Sequence, residues 1–145
     1  MYFVNREEIE ENLIYLEEKL SLFGSTAHWE TEIEKMALER IAHTIIESIL
    51  DVGNAMIDGF IMRDPGSYED IIDILLDEKV VEKEDADSLK KVIHFRKDLV
   101  QHYLSMDHQQ INKVLAQEKE ALHRFAPKVR IYLENELGPV SAFRH

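Results

Sequence analysis

The chain has no cysteine, only three prolines and five glycines, and a single tryptophan. Without cysteine there can be no disulfide, no thiolate nucleophile and no Cys-ligated zinc. That composition fits the reducing cytoplasm, the expected location. Scarce Gly and Pro predict long helices and few loops. No Gly-rich phosphate loop and no GxSxG elbow is present, which argues against P-loop kinases, Rossmann enzymes and α/β-hydrolases. No stretch approaches 18 uncharged apolar residues, so no membrane span is expected. The opening MYFVNREEIEENLIYLEEKL meets acidic residues at once and does not read as a secretory signal. Basic residues are also in deficit: 17 Lys and Arg stand against 29 Asp and Glu, a net charge of −12. Such a surface repels nucleic acid in general, and DNA is not an expected partner. Any RNA contact must come from a focused positive spot.

What is there is helical. The 145 residues, 45% hydrophobic and 32% charged, suit one globular domain over 1–145 with a core at about 5–135 and a frayed tail at 140–145. Asn5 with Glu8 three places on reads as a helix cap. Ile9, Leu13, Leu16, Leu20 and Phe23 then recur at helical spacing up to Gly24, and Ser25 or Thr26 opens the next element. A second, longer helix over roughly 28–58 carries a wide apolar arc from Ile33 to Met56. Such a helix sits centrally or lends a face to another subunit. A polar line runs along it through Arg40, Thr44, Glu47, Asp51 and Asn54, either a solvated face or a set of groups that look into a site. FIMRDPGS is the one obvious loop, and Ser67 caps a short helix after it. A fourth helix, with acidic residues at its start, runs through Leu89 to Tyr103. Asp107 with Gln110 caps the last, which Pro127 bends or splits. The expectation is an all-α bundle of about five helices.

The stretch HFRKDLVQHY, residues 94–103, concentrates the chemistry. On a helix turning about 100° per residue, Leu89, Val92, Ile93, Leu99 and Val100 form one apolar stripe. Arg96 falls in its middle, and Tyr103 lies on almost the same line. A guanidinium on a core-facing stripe needs an anion or carbonyls to meet it. Glu47 and Asp51 are the candidate partners, neutralising Arg96 when no substrate is bound. Arg96, His102 and Tyr103 could together make a small phosphate-directed site. Equally open is a structural arginine with His102 on the surface.

On a straight helix Arg96 and His102 lie about 120° apart, so one helix does not aim both at one point. Either the helix unwinds near His102, or two copies face each other across a two-fold axis. The chemistry that uses Arg and His without metal or Cys is phosphodiester cleavage by a neighbouring ribose hydroxyl. The imidazole moves the proton and the guanidinium steadies charge on the phosphoryl oxygens. No metal site and no cofactor is expected, because no two histidines have HExxH spacing. His43 with Glu47, and His94 with Asp98, share a helix face at i, i+4, an arrangement more common as a surface contact than as half of a metal site.

FRKDLVQHYLSMD, preceded by ALERIAHTIIESILDVGNAMI and GFIMRDPGSYEDIIDILLDEKVV, resembles the HepT-like group of HEPN-domain proteins, which are ribonuclease toxins. The likeness covers roughly residues 5–135. It implies a HEPN-like bundle, a two-fold homodimer with the motifs at a shared cleft, and metal-independent endoribonuclease activity on RNA. It also implies a partner, a minimal nucleotidyltransferase antitoxin that modifies the motif tyrosine with AMP. Carried over by position, Arg96 would hold phosphate, His102 would be acid or base, and Tyr103 would be the modified phenol. Lys97 and Asp98 lie inside the motif and Lys97 adds charge for a phosphate. The common form of the motif in this group is RNxxVHxY, and this chain reads RKDLVQHY. Lys97 replaces Asn, Gln101 replaces His, and the imidazole moves one place to His102, a turn of about 100° on a helix. The alternative reading is therefore a catalytically impaired homodimer of the same fold, acting as a binding or scaffold protein, with nucleotides as one candidate ligand.

Overall fold

A computed structural model describes residues 2–138, and these contain seven α-helices, one 3-10 turn and no strand. The expected frayed tail at 140–145 lies outside the described residues. The helices are α1 (Arg6–Ser25), α2 (Glu32–Gly59), α3 (Tyr68–Asp77), α4 (Lys83–Ile93), α5 (Arg96–Gln101), α6 (His108–Gln117) and α7 (Lys119–Leu137), with the 3-10 turn at Tyr103–Ser105. The all-α reading holds, and the count rises from five to seven because two expected helices are each broken once.

Three of the expected starts are made as the side chains dictate. Asn5, Ser67 and Asp107 each accept from the backbone N–H three residues on, at 3.1 Å in every case. The start of α2 differs from the expectation at Ser25 or Thr26. Thr31 caps it, in a reciprocal box with Glu34 that satisfies two backbone donors otherwise left without partners.

Helix α2 is the central post, packed against α1, α3, α5 and α6. Most of its broad apolar arc is therefore used within the chain: Ile41, Ile45, Ile49, Val52 and Met56 are all buried, while Ile33, Met36 and Ala37 near its start are exposed. Gly53 sets how closely α3 approaches, since a Cβ there would lie 2.4 Å from Ile71 Cγ2. The end of α2 is a Schellman turn, with Met62 N–H donating to Ile57 O at 2.9 Å and Ile61 in the left-handed region at φ 56°. The loop that follows is tied by Asp70, whose carboxylate accepts from both ends of Arg63 at 2.8 and 2.9 Å and from Gly66 N–H at 2.9 Å. These contacts fix Tyr68, the first residue of α3.

The expected single helix through Leu89 and Tyr103 is two helices. Phe95 N–H reaches back only three residues, to Val92 O at 3.1 Å, before Leu99 N–H resumes the four-residue pattern onto Phe95 O at 3.0 Å. One such tighter step shifts the faces of α5 relative to those of α4. Leu99 stays buried and Val100 turns outward, so the predicted stripe loses Val100. The last expected helix is also two, divided at Glu118 rather than at Pro127. Pro127 is accommodated inside α7 because it and His123, the residue whose carbonyl loses its partner, both face solvent.

Candidate functional site

Arg96 is the first residue of α5, and its guanidinium turns in toward α2 with the side chain only 24% exposed. There Nε donates to Glu47 Oε1 at 2.5 Å. The same carboxylate oxygen lies 3.6 Å from His43 Nε2, one turn earlier on α2. The flat face of the guanidinium covers the Tyr68 ring, with Cζ 4.2 Å from the centroid, a distance at which cation and ring quadrupole attract. Its terminal nitrogens, Nη1 and Nη2, make no hydrogen bond among the described residues, yet no buried polar side-chain atom is left without a partner. Both nitrogens therefore reach solvent. Glu47 and Tyr68 orient the fork by its edge and its face and leave its two forward donors available for an anion.

Of the two carboxylates expected to meet Arg96, only Glu47 does. Asp51, a turn further along α2, is exposed and makes no hydrogen bond to it. Partial loss of the water around it raises the Asp51 carboxyl above its ordinary value, the nearby Glu47 and Glu8 charges raise it further, and Arg96 only partly offsets them.

His102 lies where α5 ends, at φ −114° and ψ 37°, outside helical geometry. Its direction is thus not set by helical phase, and the rotation of about 100° expected for a one-place slip does not apply. Nδ1 is 2.8 Å from Asp98 Oδ1. An ionised carboxylate only accepts, so Nδ1 is the donor, and in the neutral imidazole Nε2 is then the lone-pair nitrogen, on a side chain that is half exposed. The expected His94–Asp98 pair is absent, because the break before α5 separates them. His94 instead lies 3.5 Å from Glu69 on α3. Tyr103 opens the 3-10 turn, 64% exposed, and not on the line of Arg96 as a continuous helix would have placed it. Lys97 is exposed and has no carboxylate within salt-bridge distance among the described residues.

Arg96, Lys97, Asp98, Val100 and Gln101 of the α5 side and Ser67, Tyr68 and Glu69 of α3 line one cleft of about 420 Å³. No contact joins Arg96 to His102 within the chain. Tyr68 carried no signal in the sequence, since nothing in a capped helix start announces that it lies beside an arginine 28 residues on; Ser67 was read only as a cap and Gln101 only as the residue in the motif's histidine place. No group of three His, Asp or Glu among the described residues is arranged to hold a metal ion. None of the described helices is long and apolar enough to cross a membrane.

Comparison with known proteins places this chain in a family. The model of the HepT-like ribonucleases, "Ribonuclease HepT-like", matches residues 9–129. The chain belongs to the HepT-like ribonuclease family. Among its relatives is the Bacillus subtilis (strain 168) protein named "Putative RNase YutE", 55% identical over 99% of this chain and 100% of that one. A solved structure of YutE, titled as a cytosolic protein of unknown function, superposes with a TM-score of 0.95 at the same identity and covers 99% of this chain and 100% of that chain. Two toxin–antitoxin crystal structures share the fold at low identity. One, with AMP-PNP, has a TM-score of 0.73 at 13% identity over 86% of this chain and 96% of that chain. The other, a mutant of the MntA-HpeT pair, has a TM-score of 0.71 at 16% identity over 85% of this chain and 97% of that chain. The HEPN-like bundle expected from the motif is thus the fold this HepT-like chain has.

Proposed function

We propose that this HepT-like protein is a toxin-type, metal-independent endoribonuclease that acts in the cytoplasm as a homodimer. A minimal nucleotidyltransferase antitoxin neutralises it by placing AMP on Tyr103. The single observation that carries the reading is the posture of Arg96: Nε on Glu47, one face on Tyr68, and the terminal nitrogens unpaired and open to solvent. A guanidinium held in this way is an anion receptor made ready before its ligand arrives. Arg96 binds the non-bridging oxygens of the scissile phosphate and stabilises the charge that builds on them as the ribose 2′-hydroxyl oxygen attacks phosphorus. His102 Nε2 accepts the hydroxyl proton, Asp98 steadies the resulting imidazolium through Nδ1, and a proton is returned to the departing 5′-oxygen. The P–O5′ bond breaks as the P–O2′ bond forms, giving a 2′,3′-cyclic phosphate and a 5′-hydroxyl. A two-fold axis brings the arginine of one copy and the histidine of the other to one phosphate, which answers the lack of contact between Arg96 and His102 within a chain. The exposed Tyr103 hydroxyl next to His102 suits modification, since an adenylyl group there would stand in the substrate's path.

The test is cleavage of a mixed RNA pool in the presence of a chelator, with His102→Ala beside the unaltered protein. Cleavage leaving cyclic phosphate ends and lost by 10²- to 10⁴-fold in the variant, about the value of a positioned acid–base group, supports the reading. Equal cleavage by both overturns the role of His102. No cleavage by either, from a folded dimer, favours the non-catalytic reading. The displaced imidazole is the observation in favour of that reading, and AMP and ATP are then the ligands to try by thermal shift. Saturation at about 100 times the dissociation constant should add about 2.7 kcal/mol of stability.

A further inference from the structure

We infer that the cleft between α3 and α5 is a nucleotide subsite of single-stranded RNA, in which the base next to the scissile phosphate lies against Tyr68. The inference rests on the ribonuclease reading and adds a substrate-positioning residue to it. The cleft, at about 420 Å³, falls within the span of about 300–1,000 Å³ common for small-ligand sites. Its lining has the chemistry of one nucleotide. Tyr68 keeps half of its surface exposed even with Arg96 against one face of the ring, leaving aromatic area for a base. The Gln101 amide and Ser67 offer donors and acceptors to a base edge or a ribose.

The donors left open in the cleft suit an anion, although the charge of the chain as a whole does not. The two acidic residues of the lining face imidazoles, Glu69 near His94 at 3.5 Å and Asp98 on His102 at 2.8 Å. The cations are the groups left open: Lys97 has no carboxylate partner among the described residues, and Arg96 shows its terminal nitrogens. On a protein of net charge −12, these open donors are where an RNA phosphate can be met. Tyr68 is also fixed before any ligand arrives, by the Ser67 cap and by the Arg63–Asp70–Gly66 ties of the preceding loop. Aromatic platforms of this kind recognise unpaired bases and exclude duplexes, whose bases are stacked on each other.

The experiment uses the His102→Ala protein, full chain, so that RNA is bound and not cut. Its affinity for a labelled single-stranded hexaribonucleotide is read by fluorescence anisotropy, with a duplex of the same sequence as competitor. Adding Tyr68→Leu should weaken binding by about 5- to 150-fold, the range that base–aromatic stacking supplies. Adding Tyr68→Phe should leave it within about three-fold, since the ring remains and only the hydroxyl is lost. The mass of the oligomer in solution should not change with either. RNA carrying 4-thiouridine, photocrosslinked to the protein with Tyr68 intact, should attach at the peptide containing Tyr68; this arm stands if the Leu variant does not fold. If His102→Ala binds RNA and Tyr68→Leu binds it equally, or crosslinks fall only elsewhere, the subsite is overturned and the ribonuclease reading survives. A change of oligomeric mass in the Leu variant makes Tyr68 a subunit contact and also overturns the subsite. If the unaltered protein cleaves nothing and His102→Ala binds nothing, both readings fall together.

Discussion

Two arginines of this protein are partly buried against carboxylates, and they differ in what is left over. Arg130 of α7 donates from Nε to both oxygens of Glu10 at 3.0 and 3.1 Å, and from Nη1 and Nη2 to Glu17 at 2.9 and 2.7 Å. Every nitrogen is occupied, the guanidinium holds its proton more firmly than usual, and the result fastens α7 to α1. Arg96 gives one donor to one carboxylate and rests its face on a ring, with two nitrogens unoccupied. The first arrangement closes on itself and is structural. The second is incomplete without a further anion. Counting unoccupied donors separates the two roles where burial and charge alone do not.

The largest effect should come from exchanging the pair. Arg96→Ala should lower RNA cleavage by about 10²- to 10³-fold, as removal of a charge-stabilising donor does elsewhere, with the far-ultraviolet circular dichroism and melting point little changed. Arg130→Ala should leave cleavage per folded molecule within about two-fold. It should cost about 1–2 kcal/mol of stability, between the worth of an exposed pair and a buried one, read by urea unfolding. A loss of activity in the Arg130 variant that exceeds its loss of folded protein would erase the distinction drawn here.

Glu47 sharpens the comparison at a middle scale. Glu47→Ala removes what fixes the edge of Arg96 and should lower kcat by about 10- to 100-fold with KM little altered, the signature of lost positioning. Glu47→Gln keeps an acceptor for Nε and should recover most of that rate. If Glu47 served only to block the cleft, the Ala variant would instead cleave faster.

The smallest effect is one of pH. The Asp51 carboxyl is raised by partial loss of water and by Glu47 and Glu8. The folded state thus binds its proton more tightly than the unfolded chain, and ionised Asp51 is a mild burden near neutrality that is relieved as pH falls through its raised value. Asp51→Asn should accordingly raise the melting temperature slightly at pH 7, with the gain fading as pH falls through the raised value and gone below the ordinary value of 3.8. Glu17 runs the other way. Its hydrogen bonds to Arg130 lower its carboxyl, so the stability it adds is present above the ordinary glutamate value and is lost as pH falls through the lowered one. Melting curves of the two variants Asp51→Asn and Glu17→Gln should therefore move in opposite directions at pH 7.

Much of this was legible before the structure. Caps at Asn5, Ser67 and Asp107 act locally through a single side chain and the backbone three residues on, so they could be read from neighbours alone. The T-x-x-E box at Thr31 is equally local, but Ser25 and Thr26, also capping residues, come first and drew the expected start of α2 forward. Arg96 stood out as a charge among apolar residues, and helical spacing pointed to Glu47 as one of two partners. The break at His94 and Phe95 could not be read, because no glycine or proline marks it. It depends on a single three-residue hydrogen bond whose cost is met by tertiary packing. Pro127 drew attention as a breaker, yet on a solvent-facing turn its missing donor is cheaply replaced by water. Tyr68 was invisible for a different reason: its role depends on α3 and α5 meeting, and nothing local to position 68 announces a contact with Arg96.

The clasp between Arg130 and the glutamates of α1 joins residues 113 and 120 positions apart in the chain. A ribosome must therefore deliver α7 before this clasp can close, although α1 already has α2 beside it. Until α7 emerges, the apolar stripe of Ile9, Leu13, Leu16 and Leu20 and the α4 face that α7 covers have no shelter on that side. Contacts so distant in sequence are slow to form, and they leave the nascent chain reliant on chaperones meanwhile. The frame of Arg96 is made earlier, because Glu47, Tyr68 and α5 all precede α7 in the chain.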